Sequence, residues 1–203
     1  EKTEDEEAAV EELQSIIETV EDEGVIDEER SELLQAALEF SDISACEVMT
    51  ARVDMVAIDI EDDWEDILET INNSHYSRLP VYEGSIDNII GILYVNHFYK
   101  ALLDNETVDI RSLLLEPCYI YKTMKLPAVL NQLRKCKMQL AIVTDEYGGS
   151  MGLITIEDVM EQIVGEIWDE SDEISADVIE RGEGLYEIDG DMSISEFLEL
   201  LEW

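Results

Sequence analysis

Basic residues are scarce in this 203-residue sequence: 12 lysines and arginines stand against 51 aspartates and glutamates, a net charge of −39. So negative a surface repels phosphate backbones and anionic lipid, which argues against nucleic-acid binding and peripheral attachment to acidic membranes. Cysteine is sparse too. Cys46, Cys118 and Cys136 are odd in number and far apart, so neither a paired-cysteine metal site nor a disulfide-stapled scaffold is available, and a reducing, cytosolic setting is expected. No long apolar run occurs: the longest uncharged stretch, Asn88 to Tyr99, has 12 residues, short of the ~18 to 20 of a membrane helix. The two histidines, His75 and His97, lack a partnered ligand spacing, and no Ser/His/Asp or Cys/His set points to catalysis. The chain opens on Glu1-Lys2-Thr3-Glu4, neither an initiator methionine nor the basic start of a signal peptide, and is expected to belong to a longer polypeptide.

What is present is enough apolar material, 46%, for a core. Val10, Leu13, Ile16, Ile17 and Val20 form a helical stripe that Gly24 ends as a left-handed cap. Asp27 caps a second helix, with Leu33, Leu34, Ala37 and Leu38 as its expected buried face. Residues 1–45 therefore read as an acidic helical linker. Near the other end, the run Asp169 to Glu173 lacks the glycine and the ligand alternation of a calcium loop, so it reads as a solvated hinge. Leu185-Tyr186-Glu187-Ile188 alternates as a strand, Asp189-Gly190 turns, and Ser193 with Glu196 forms a capping box for a final helix. Residues 169–203 are thus a hinge followed by the start of a small α+β domain.

The central part is an internal repeat. A shift of 61 residues lays Leu79-Pro80-Val81-Tyr82 over Leu140-Ala141-Ile142-Val143, and Gly91-Ile92-Leu93 over Gly152-Leu153-Ile154, without a gap. Ile67, Leu68 and Ile71 mark a helix after Asp63; Val129, Leu130 and Leu133 mark its counterpart after Pro127. Each copy reads as a short leading strand (Met55 to Ile58; Tyr119 to Tyr121), a helix, two strands joined by a turn, and a closing helix starting near Asn96 or Glu157. Neither half buries both faces of so small a sheet, so the two should pack with pseudo-twofold symmetry. The fold class is α+β: two βαββα units, residues 46–105 and 106–168, between the linker and the hinge.

Chemistry concentrates where the second copy closes. Thr155 and Asp158 place a hydroxyl and a carboxylate three residues apart at a strand-to-helix junction. The pair can serve as a capping box, each side chain satisfying a free backbone amide. The same geometry suits a nucleotide, with phosphate at the helix N-terminus and Thr155, and ribose on Asp158. Under the 61-residue shift Tyr94 and His97 occupy the equivalent places, so the polar pair is missing from the other copy and one nucleotide site per chain is expected.

With Gly152-Leu153-Ile154-Thr155-Ile156-Glu157-Asp158 closing it, the repeat resembles a tandem pair of CBS domains, a Bateman module. Glu47-Val48-Met49-Thr50-Ala51-Arg52-Val53-Asp54-Met55, Tyr76-Ser77-Arg78-Leu79-Pro80-Val81-Tyr82 and Thr144-Asp145-Glu146-Tyr147-Gly148-Gly149 are similar to the cytosolic part of the CorC/HlyC hemolysin-like proteins, relatives of the CNNM magnesium transporters. Ala51 departs from that pattern, which carries proline there. The resemblance implies a nucleotide cleft comprising Thr50, Tyr76, Ser77, Arg78 and Pro80 of the first copy with Thr155 and Asp158 of the second. It implies ATP (or ADP or AMP) with Mg2+ as ligand and no catalysis. It further implies a homodimer, and an upstream transmembrane domain that transports magnesium or cobalt, placing this region at the cytoplasmic face of the membrane. The alternative is a structural dimerisation module with a vestigial cleft.

Overall fold

The computed structural model describes residues 4–104, 108–165, 178–182 and 185–188. Helix α1 (Glu4–Asp22) runs to Gly24, whose φ of +69° is the left-handed cap expected of it. Asp27 starts α2 (Glu28–Glu39) by accepting the Arg30 N–H at 3.0 Å. The covered face of α2 differs from the expected one. Leu33 and Leu34 stay exposed, while Ser31 and Phe40 are buried. Phe40 joins the core of the second repeat, and the rotation this imposes turns Ser31, Gln35 and Leu38 inward.

The two copies follow. The first comprises β2 (Ile58–Asp59), α4 (Trp64–Asn73), β3 (Arg78–Glu83), β4 (Ser85–Tyr94) and α5 (Val95–Asp104). The second comprises β5 (Cys118–Tyr121), α6 (Leu126–Cys136), β6 (Leu140–Thr144), β7 (Ser150–Thr155) and α7 (Ile156–Val164). The ungapped alignment needs correction by one residue. Val81 faces both Ile58 and Gly91, as Val143 faces Ile120 and Gly152, so the offset is 62 over the first two strands and 61 over the third. The first copy absorbs its extra residue in two register shifts of the β3–β4 hairpin, where the second copy has one.

The leading segments cross between copies. Ahead of the first copy stand α3 (Ala45–Val48), β1 (Thr50–Ala51) and a 3₁₀ turn (Arg52–Asp54); β1 pairs antiparallel with β7, in sheet order β1-β7-β6-β5. Of the expected strand over Met55 to Ile58 only Ile58 is in a strand, the short β2, while the crossing is made earlier, by β1. Reciprocally, after a second 3₁₀ turn (Ile110–Leu113), Leu115 bridges to Ile92 on the edge of β2-β3-β4, with N–O distances of 2.9 and 3.0 Å. Both crossings depend on a glycine at the same repeat position. A Cβ on Gly152 would fall 2.2 Å from the Thr50 carbonyl oxygen, and one on Gly91 would fall 2.6 Å from the Leu114 Cβ.

Two apolar cores result. The first copy closes around Ile58, Ile67, Ile71, Leu79, Val81 and Phe98, with Trp64 ring-to-ring against Phe98 at 5.9 Å. The second copy's core takes in Ile89 and Ile92 from β4, so the first hairpin contributes to both. The chain divides into compact units at residues 1–166 and 167–203. In the latter, β8 (Val178–Gly182) and β9 (Leu185–Ile188) pair antiparallel, β9 being the alternating strand expected from sequence. The hinge at 169–173 and the Ser193–Glu196 capping box lie outside the described residues. Among the described residues no helix is long and apolar enough to cross a membrane.

Candidate functional site

The crossing of β1 onto β7 brings the leading segment of the first copy against the start of α7. Between them lies a cleft of about 340 Å3. Thr50, Tyr76, Ser77, Arg78, Thr155 and Asp158, six of the seven residues expected from sequence, line it together. Pro80 does not. It is buried in the middle of β3, opposite Ile92.

Each wall has a local cause. Thr50 sits opposite Leu153 because Gly152 lets the two backbones approach. Tyr76, Ser77 and Arg78 follow the end of α4, where the Ser77 carbonyl accepts the Val95 N–H at 3.0 Å and ties this loop to α5. Thr155 and Asp158 form a complete capping box: the Thr155 N–H donates to Asp158 Oδ2 at 2.7 Å, and the Asp158 N–H donates to Thr155 Oγ1 at 3.2 Å. The box fixes both side chains at the cleft wall. Asp158 Oδ1 makes no hydrogen bond among the described residues.

Arg78 supplies the positive charge. Its guanidinium lies 5.3 Å above the Tyr94 ring and 4.0 Å from Glu157, while its Nε is buried without a hydrogen-bond partner among the described residues. Three acidic residues, Asp54, Glu157 and Asp158, line the same cleft. Asp54 and Glu157 were not singled out from sequence. The position of Glu157 between Thr155 and Asp158 was the available signal, whereas Asp54 reaches the cleft through a 3₁₀ turn with no distinctive pattern.

The equivalent region of the other copy lacks the hydroxyl–carboxylate pair. Tyr94 stands in the place of Thr155, and its hydroxyl lies 4.0 Å from the Met138 sulfur; its ring stacks on His97, the counterpart of Asp158, at 5.4 Å. A shallow depression beside His97, lined by Lys100 and Ser112 to Leu115, is not bordered by Tyr94. His75 and His97 are both exposed, and the described residues contain no group of His, Cys, Asp or Glu suited to a metal ion. Cys118 is buried, and burial pushes its thiol up to about 12, helped by the neighbouring Cys136 thiol. Cys46 and Cys136 are exposed.

Comparisons with known proteins support the fold. The family model described as CBS domain matches residues 45–104. Hemolysin C of Brachyspira hyodysenteriae is 33% identical over 170 residues, which cover 84% of this chain and 63% of that protein. The solved CBS domain of the bacterial CNNM/CorC family Mg2+ transporter is 38% identical and has a TM-score of 0.70, covering 78% of this chain and 98% of that one. The same domain in complex with ATP is 39% identical with a TM-score of 0.61, covering 68% of this chain and 99% of that one. The chain thus spans less than two thirds of hemolysin C but nearly all of these solved domains.

Proposed function

The chain belongs to the CNNM/CorC family of CBS-domain proteins, and from that membership we propose that its cleft is a regulatory site for one adenine nucleotide, with ATP bound as its Mg2+ complex and ADP or AMP as alternatives. Residues 46–105 and 106–168 act as the two CBS domains of one module, with residues 169–203 opening a further domain. The module performs no catalysis. It passes its occupancy to an upstream transmembrane domain of the same polypeptide, which moves magnesium or cobalt, and it works as a homodimer at the cytoplasmic face of the membrane.

One observation carries this reading: Thr155 and Asp158 of one copy and Thr50, Tyr76, Ser77 and Arg78 of the other converge on a single cleft. The free oxygen of Asp158 offers an acceptor to a ribose diol. A phosphate would give the buried Arg78 Nε the partner it lacks. Free ATP adds about four negative charges beside three carboxylates, and Mg2+ offsets half of them, which supports the metal complex as ligand. The Tyr94–Met138 contact supports a single site per chain.

Calorimetric titration with ATP, ADP and AMP, each with and without Mg2+, tests the proposal. Asp158→Ala should weaken MgATP binding roughly ten- to a hundredfold. Its thermal midpoint, measured alongside, separates that loss from the ~1 kcal/mol owed to the missing cap. The completed capping box also suits a purely structural dimerisation module, in which Thr155 and Asp158 do nothing more. A wild-type chain that takes up no nucleotide in any arm establishes that alternative.

A further inference from the structure

Arg52 and Asp87 lie outside the cleft and were assigned no role above, yet they form the only long-range ion pair among the described residues whose partners also bind the backbone of a third segment. Arg52 belongs to the 3₁₀ turn after β1, and Asp87 to the start of β4. The pair is bidentate, Nη1 to Oδ1 at 2.7 Å and Nη2 to Oδ2 at 3.2 Å. Asp87 Oδ1 also accepts the Ser150 N–H at 2.9 Å, and Arg52 Nη1 donates to the Ser150 carbonyl at 3.4 Å. The first residue of β7, the first copy's hairpin and the leading segment are therefore clamped at one point.

That point controls the cleft wall. β1 consists of two residues, Thr50 and Ala51, and the cleft is lined by Asp54, which ends the turn, and by Met55 and Val56 immediately beyond it. A two-residue ladder holds a strand weakly, so additional fastening decides how long the segment stays docked. The Ser150 N–H, first, and the Arg52 guanidinium, second, hold the Asp87 carboxyl below its ordinary range, the mark of a carboxylate engaged by both partners. Planar two-point recognition also fixes the direction of the Arg52 side chain, and with it the turn that carries Asp54, in a way a lysine ammonium would not.

Resting on the nucleotide reading of the cleft, we infer that Arg52 and Asp87 are positioning residues for it: their clamp on Ser150 docks residues 50–56 against β7 and thereby sets nucleotide affinity without touching the ligand.

The test uses this 203-residue chain with Arg52→Ala, Arg52→Lys, Asp87→Ala and the Arg52→Ala/Asp87→Ala double variant. Hydrogen exchange of the amides at 50–56 is measured without nucleotide, and MgATP affinity by calorimetry. Exchange at 50–56 should quicken in each alanine variant while the amides of β6 keep their protection, and affinity should fall about three- to tenfold. Arg52→Lys should recover only part of the loss. The double variant should be no worse than the poorer single one, because both substitutions release the same clamp. Unchanged exchange at 50–56, unchanged affinity, or losses that add in the double variant would each overturn the inference. Exchange is read on the empty protein, so a wild-type chain that bound no nucleotide would sink the function proposed for the cleft while the docking claim was still decided on its own data.

Discussion

Glu157 is the nearest acidic partner of Arg78, yet the contact is long at 4.0 Å and the Glu157 side chain is largely exposed. In the empty cleft it offsets the guanidinium charge; beside a polyphosphate it repels. Glu157→Gln should therefore tighten free ATP about three- to tenfold and MgATP less, so that the ratio of the two affinities, taken from paired titrations, narrows. Equal gains for both ligands would mean that Glu157 does not contribute to the metal requirement. At this scale the sequence was informative where function is coupled to local spacing. Thr155 and Asp158 were legible because a capping box has fixed spacing, and Arg78 because cations are so rare here. Asp54 was not, since its place depends on a turn that the crossing of β1 imposes. Pro80 sits in the matching motif but is consumed by strand packing. Ala51, the departure from the family pattern, holds φ at −66°, within the range of the missing proline ring, so its backbone keeps the shape without the covalent constraint.

Helices with a local start signal were readable: Asp63 before α4, Pro127 in the first turn of α6 and the capping box of α7, the first two followed by a clear apolar period. So was the leading strand of the second copy, Tyr119 to Tyr121 falling within β5. The segments that cross between copies were not readable: their partners lie about 100 residues away in one case and 23 in the other, and only the pairing places them. The face of α2 was misjudged for the same reason, since the burial of Phe40 at its end outweighs the leucines on its side. Gly152→Ala gives the sharpest check at the level of elements. The added methyl would sit 2.2 Å from backbone that belongs to β1, so the strand must leave β7. The expected result is a loss of protection at Thr50 and Ala51 and a destabilisation of about 1 to 3 kcal/mol by denaturant unfolding. A variant as stable as the wild type, with β1 amides still protected, would contradict the close approach.

For the molecule as a whole, the proposed nucleotide site would link ligand to fold. A nucleotide that binds only the folded pair, present at a hundred times its dissociation constant, adds about 2.7 kcal/mol to unfolding, and the thermal midpoint should rise accordingly with MgATP. The same addition in the Asp158→Ala variant should give a much smaller rise. The pseudo-twofold plan was legible from the repeat, apart from the one-residue slip, because two copies of a half-covered sheet have few ways to hide their apolar faces. What the repeat did not disclose is that each copy completes its sheet with chain borrowed from the other. Neither half is therefore a folding unit in its own right. Two separately produced pieces, cut between Asp104 and Val108, should be sticky and poorly structured alone yet reconstitute on mixing, and ancestral duplication of a single copy would have survived only as an arm-exchanging pair.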